Sequence, residues 1–389
     1  MNNNSTNKTG LKIFLQGMSG ITLTFLFIFL PLLSANAQTT LKERLEQHVY
    51  TLASDSLRGR QAGTEYARKA ADYIVKQFEE IEIEPYFENS YLQTFRKGKF
   101  QNIVGIIRGN DTVLKDEYIV VGAHYDHIGA SGKTINNGAD DNASGTAALI
   151  ELGRALKRHQ SNLKRSVMLI AFDAEESGLV GSSYFVFRSE APIENIKLMI
   201  ALDMIGWYKA SGKVKYIGSG TIKNGDDLIL NPQLVPSGLN VVAEKFETKY
   251  FAIGATDTQP FALKRIPTLW AFTGFKSPYH TPKDEAHLID YDGMTLITEH
   301  LSNLTETVSQ KTELEPSGKF AKSHKPRRRI NYSLSANFGT SFYKNSEDKD
   351  SVSANLSFGI GFTPQVNFGI FAIRPELYYD RLQIQQHGA

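Results

Sequence analysis

The chain has 389 residues, 41% of them hydrophobic, which is enough for a sizeable core and more than one domain. Its net charge is only +2, no dense basic patch interleaves with aromatic residues, and neither a P-loop nor a GxGxxG fingerprint occurs, so nucleic acid is not an expected partner. Cysteine is absent, which excludes disulfides and thiolate sites and leaves nitrogen and oxygen to hold any zinc.

At the N-terminus, Lys8 and Lys12 precede an apolar run over residues 21–33, and Ala35-Asn36-Ala37 offers a small-x-small cleavage site. The run is short for a full membrane span. Residues 1–37 are therefore expected to be a signal peptide, with the mature chain starting near Gln38 and reaching the periplasm, the outer-membrane surface or the medium. Ala67, Ala71, Ile74, Phe78 and Ile81 then mark one face of a helix starting after Gly63-Thr64. The polar loop over residues 57–64 carries Arg58 and Arg60, which are expected at a solvated or salt-bridged surface rather than on substrate. Strands are expected at residues 91–95 and 102–108.

Residues 118–121 read as a buried strand: short, β-branched and flanked by charge and glycine. It runs into Ala123-His124-Tyr125-Asp126-His127, where alternation along a strand sends His124 and Asp126 the same way. A Gly/Asn-rich loop holding Asp140 and Asp141 follows, then a helix that Asn142 or Ser144 can cap, with Ala148, Leu152, Ala155 and Leu156 as its buried stripe. Apolar strands at residues 166–172 and 198–202 end in Asp173-Ala174-Glu175-Glu176 and in Asp203. One carboxylate past a strand end means little, because Asp and Glu often cap strands. Acids and an imidazole past three such ends are hard to explain as packing, and in open α/β sheets that edge is where sites form.

A further buried strand at residues 267–272 leads to Ser277-Pro278-Tyr279-His280-Thr281-Pro282, whose prolines fix a loop presenting Tyr279 and His280. Met294, Ile297, Leu301 and Leu304 mark a closing helix, so His280 lies between core elements and can reach the same edge. Trp207, Tyr208, Phe272 and Phe275 fit an apolar pocket or the core equally well. Asp257 reads as charge at a helix N-terminus or as a supporting carboxylate, not as a ligand. The fold class expected for residues 38–310 is α/β, a mostly parallel central sheet flanked by helices.

Residues 311–330 read as a basic, polar linker, with KSHKPRRR at its end. The period then switches to two over residues 331–389, with a turn expected at Thr363-Pro364-Gln365. This small C-terminal antiparallel β segment resembles part of an outer-membrane β-barrel, although its three or four strands are fewer than the eight of the smallest barrels. A truncated barrel, a sheet completed by other copies and a small soluble sheet all remain open, with outer-membrane association ranked slightly first.

The motifs AHYDH, GADDNASG, FDAEESGLVGS, ALDMIG and PYHTPKD occur in the order found in the secreted co-catalytic zinc aminopeptidases. Residues 41–310 resemble that family, which also includes glutamate carboxypeptidases and glutaminyl cyclases. The resemblance implies a zinc-exopeptidase-like fold and two zinc ions per chain. It makes His124 and Asp203 ligands of one ion, Glu176 and His280 ligands of the other, and Asp141 the bridge. Spacing alone does not decide between Asp140 and Asp141; the family places the bridge directly before the Asn.

It further implies that Glu175 is the general base, that Tyr279 polarises the scissile carbonyl, and that Asp126 orients the His124 ring. The chemistry agrees independently. Two imidazoles and three carboxylates leave a net positive charge on two zinc ions, which favours a bridging hydroxide. Adjacent Glu175 and Glu176 diverge in an extended segment, so one can bind metal while the other takes a proton. Asp126, on the His124 face, can accept the other ring N–H. Peptides with a free N-terminus are the implied substrates. The alternatives are an acyltransferase of the glutaminyl cyclase type, which uses one zinc held by Asp, Glu and His, and a non-catalytic receptor or tether domain.

Overall fold

A computed structural model describes residues 39–245 and 256–318 and, as strand backbone, segments between residues 330 and 380. The expected signal peptide and most of the expected linker lie outside the described residues.

The first helix, α1 (Leu41–Leu52), starts at a capping box: Thr40 Oγ1 accepts from the Glu43 N–H at 3.2 Å, and the Glu43 carboxylate accepts from the Thr40 N–H at 2.7 Å. Helix α2 (Glu65–Glu80) is capped by Thr64 and buries Ala67, Ala71, Ile74 and Phe78, the stripe expected from the sequence. The strands β1 (Glu84–Pro85), β2 (Leu92–Phe95), β3 (Phe100–Ile107), β4 (Tyr118–His124), β5 (Ser166–Phe172), β6 (Ile196–Leu202), β7 (Val214–Ile217), β8 (Val241–Glu244) and β9 (Thr268–Phe272) form one sheet. Its order is β1-β3-β5-β4-β6-β9-β7-β8, with β2 also paired to β3. The centre, β5-β4-β6-β9, is parallel, while β3 runs antiparallel to β5 and β7 antiparallel to β9.

The three apolar strands lack an alternating polar face because both of their faces are covered. Val121, Leu169 and Ile200 join one hydrophobic cluster, and their neighbours Val120, Met168 and Met199 join the other. Helices α1, α3 (Gly145–Arg158) and α6 (Tyr291–Gln310) pack together over the first face; α4 (Val180–Arg188) and α5 (Thr258–Leu263) bring Phe185 and Phe261 to the second. The register pairs His124 with Phe172 and Gly122 with Ala201, so β4, β5 and β6 release their C-terminal segments side by side. That edge carries the site. Among the described residues no helix is long and apolar enough to cross a membrane.

One buried histidine belongs to the frame. His300 on α6 is fully buried, with Nδ1 at 2.7 Å from the Tyr216 hydroxyl and Nε2 at 3.1 Å from the Ile229 carbonyl. A neutral ring protonated on Nε2 satisfies both partners. Burial drives its pKa down from 6.5 to about 4, with the Ile229 bond opposing. A depressed folded value means that His300 charges more readily in the unfolded chain. Stability is full above pH 6.5 and is lost as pH falls toward 4. Chelator-treated protein is expected to lose about 3 kcal/mol across that window. His300→Gln should flatten the dependence, read as the urea midpoint against pH.

Beyond residue 329, β10 (Ile330–Lys344) pairs antiparallel with β11 (Val352–Phe368), and β12 (Phe371–Ile373) and β13 (Leu377–Asp380) pair with the other side of β11, making a four-stranded sheet of its own. The turn expected at Thr363-Pro364-Gln365 does not form: β11 runs straight through, with Pro364 opposite Tyr332. On its far side β11 pairs β13 at residues 359–362 and β12 at residues 366–368. Pro364 falls in the gap between those two pairings.

Candidate metal centre

Beyond β4, β5 and β6 the chain makes irregular turns that aim polar side chains inward. Ala174, Met204 and His280 hold the left-handed backbone conformation, with φ of 58°, 56° and 56°. Two of them adjoin Glu175 and Asp203, and the third is itself a predicted site residue. The turn between β4 and α3 is irregular at Asp141 and Asn142 and contains a cis peptide between them. The Asn142 side chain accepts from the N–H of Gly145, the first residue of α3, at 3.0 Å, and its amide donates to the Leu202 carbonyl at 2.9 Å. Asp140 turns away, accepting from the Gly206 N–H at 2.8 Å. Asp141 is the one that faces the cluster.

The centre is two groups of donors sharing that carboxylate. Asp141 Oδ1 lies 3.4 Å from His124 Nε2, which lies 3.6 Å from Asp203 Oδ1. Asp141 Oδ2 lies 3.1 Å from His280 Nε2, which lies 3.1 Å from Glu176 Oε2. Thus the two oxygens of one aspartate look into different clusters, and within each the donors are close enough to hold one ion. Zinc bonds of about 2.0–2.2 Å in tetrahedral array put neighbouring donors about 3.3–3.6 Å apart. The donor set therefore fits two divalent cations with nitrogen and oxygen ligands.

The electrostatics show what replaces those cations when none is bound. Burial opposes it, yet Glu175, Asp141 and Asp203 hold His124 well above the ordinary imidazole value. His280 is likewise held up at about 10, against its burial, by Asp141 and Glu176. Burial raises Asp141, but bonds to His124 and His280 outweigh it and hold the carboxyl far below its usual range. Imidazolium protons serve as the counter-charge, and metal binding must release them.

Glu175 is half-buried beside the His124 cluster. Burial lifts its carboxyl well above the usual range; His124 opposes this, while Asp257, Asp203 and Glu176 reinforce it. Tyr279 stacks on His280 with ring centroids 3.7 Å apart, and burial together with the nearby acids pushes its phenol above the ordinary value, keeping it a donor. Asp126 differs from the expectation. Its carboxylate accepts from the Glu175 and Glu176 N–H groups at 3.0 and 3.3 Å, whereas His124 Nδ1 meets the Asp126 main-chain carbonyl at 3.2 Å and its carboxylate oxygen only at 3.8 Å. The strand ends at His124, so strand alternation no longer governs where Asp126 points.

Two contributors were not singled out in the sequence. Asp284 accepts from the N–H groups of Asp140 and Asp141 at 2.9 and 3.0 Å, fixing the shared carboxylate from behind; it sits inside the PYHTPKD motif, which was its only signal. His127, at the end of AHYDH, puts Nδ1 at 2.9 Å from Glu176 Oε1 and 3.6 Å from Asp141 Oδ2.

Arg60, expected at the surface, is 1% exposed. Its guanidinium donates to the carbonyls of Tyr125, Leu52, Asn137 and Gly138 at 2.8, 2.5, 2.6 and 3.0 Å. Burial lowers its pKa to about 10, opposed by the charges of Asp141, Asp284, Asp126 and Glu176. It thus ties the turn after β4 to the loop before Asp140. Arg60→Met strands several buried acceptors and is expected to cost about 3 kcal/mol or more, read from denaturant unfolding. Of the aromatic residues, Phe272 is core, stacked on Trp270 at 4.4 Å, while Phe275 is 47% exposed beside Tyr279. Trp207 and Tyr208 are half-buried against the core. Asp257 is buried at the start of α5 without capping it, and its carboxyl is lifted to about 6 by burial, with His124 opposing and Asp203 adding.

A family model described as Peptidase family M28 matches residues 102–305. Among curated proteins, aminopeptidase YwaD of Bacillus subtilis is 38% identical over 123 residues, which are 31% of this chain and 25% of YwaD; the chain thus spans a quarter of that relative's length. Glutaminyl-peptide cyclotransferase of Drosophila melanogaster is 26% identical over 324 residues, 70% of this chain and 87% of that protein. Among solved structures, BSAP, a zinc aminopeptidase from Bacillus subtilis, superposes with a TM-score of 0.54 at 17% identity, covering 68% of this chain and 95% of that chain, a likeness of fold.

Proposed function

As this chain belongs to peptidase family M28, we propose that it is a zinc-dependent aminopeptidase releasing N-terminal residues from peptides. The observation that carries the reading is the divided Asp141 carboxylate, with one oxygen toward His124 and the other toward His280. His124 and Asp203 would hold one zinc, Glu176 and His280 the other, and Asp141 both. When bound, the ions supply Lewis acidity and lower the pKa of water to about 7.

The chain's own groups do the rest. Glu175 takes the proton of the attacking water and passes it to the leaving amine. Asp126 supports this by pinning the Glu175 and Glu176 N–H groups, so the two side chains keep separate tasks. The Tyr279 phenol donates to the oxygen on which negative charge develops.

Cyclisation of N-terminal glutamine is the second reading, favoured by the match to the Drosophila cyclotransferase over most of both chains. A second imidazole cluster around His124 supports hydrolysis instead, since the cyclase type needs only one ion. Zinc-loaded full-length chain incubated with free and N-acetylated peptides, including one beginning with Gln, separates them by mass spectrometry. Loss of the first residue from free peptides alone is expected. Loss of ammonia from the Gln peptide, with no cleavage of the others, contradicts the aminopeptidase reading.

A further inference from the structure

The two donor clusters are unequal. Around His124 there are three residues, His124, Asp141 and Asp203; around His280 there are four, His127, Asp141, Glu176 and His280. We infer that His127 is a protein ligand of the Glu176–His280 ion, giving that ion four protein donors and leaving the open coordination to its neighbour. The inference rests on the reading of the cluster as a metal centre.

Three observations carry it. The His127 ring is 1% exposed, and its Nδ1 points into the cluster at 2.9 Å from Glu176 and 3.6 Å from Asp141. Together with the 3.1 Å separations of His280 from Asp141 and Glu176, these bracket the donor spacing of about 3.3 Å in a tetrahedral zinc site. Secondly, Nε2 has no hydrogen-bond partner among the described residues, so the cluster is the ring's sole polar engagement. A buried imidazole placed for packing alone would be an expensive choice. Thirdly, the fold makes room for it. Gly138 has φ +59°, and a Cβ there would sit 2.5 Å from His127 Cδ2 and 2.6 Å from Cγ, inside the ring's own space.

The consequence is a division of labour. Zinc with four protein ligands is a closed site, while zinc with three keeps a position for water or substrate. Substrate oxygen therefore belongs on the His124–Asp203 side, where Glu175 also lies, and the His127–His280 ion anchors the shared aspartate.

The test needs no activity measurement. Metal-free full-length chain given one equivalent of zinc should fill the four-donor site first, and X-ray absorption should then count two imidazoles on the ion. In competition with a fluorescent chelator, His127→Ala and His127→Gln should each weaken one of two zinc sites by more than about 100-fold, beyond what lost outer partners cost, and leave the other unchanged. With two equivalents of zinc bound, an average of about one imidazole per ion instead of about one and a half overturns the inference without any variant. So does wild-type affinity in His127→Gln, whose amide can still donate to Glu176, because His127 would then be a hydrogen-bonding support. Both outcomes leave the aminopeptidase reading standing; a wild-type chain that binds no zinc removes both.

Discussion

Glu175→Gln is expected to bind zinc as the wild type does and to lose turnover by about 10²–10⁴-fold, the usual worth of a general acid–base group. The argument is positional. Glu175 is adjacent to Glu176 yet belongs to no donor group, while Glu176 lies 3.1 Å from His280. The Asp126 carboxylate accepts from both of their N–H groups and so fixes the main chain from which the two side chains branch. The amide keeps the size and the main-chain anchoring of Glu175 and removes only its basicity. The assay is kcat on a peptide substrate beside zinc content per chain. Full turnover in the variant removes Glu175 from the mechanism; lost zinc would make it a ligand instead.

Asp141→Ala is expected to have the widest effect on metal, emptying both sites, whereas Asp203→Ala and His280→Ala each deplete chiefly one. The reason is the shared carboxylate: Oδ1 serves the His124 side and Oδ2 the His280 side. Its loss also removes the one carboxylate that His124 and His280 share. Activity should fall below detection, and elemental analysis after dialysis should find less than one zinc per chain. The Asp284 bonds to the main chain of residues 140 and 141 do not involve the deleted side chain, so the turn itself should persist. Equal retention of zinc in Asp141→Ala and the wild type would place the ions elsewhere.

What could be read beforehand follows from where structure is local. Residues 166–172 announce a doubly covered strand because every position after Ser166 is apolar, and β5 has those bounds. The acids past β5 and β6 and the imidazole that ends β4 were legible for a related reason: a parallel sheet brings such ends together whatever the loops do. Roles set by returning loops were not legible. Arg60 lies in a segment as polar as any surface turn, and only the packing of residues 125 and 137–138 around it turns four carbonyls inward. Asp126 took its expected role from the resemblance, supported by a strand alternation that stops at His124. His127 gave a signal, a second histidine three residues after the first, but its aim depends on a glycine eleven positions further on. Pro364 was read as a turn because proline usually interrupts pairing; the gap beside β11 is a property of two later strands.

The account depends on two cations held on either side of one aspartate. Anomalous diffraction at the zinc edge from crystals of the zinc-loaded full-length chain tests this most directly. Two peaks about 3.5–4 Å apart, flanking the Asp141 carboxylate, are predicted. A single peak, or peaks remote from Asp141, would contradict it.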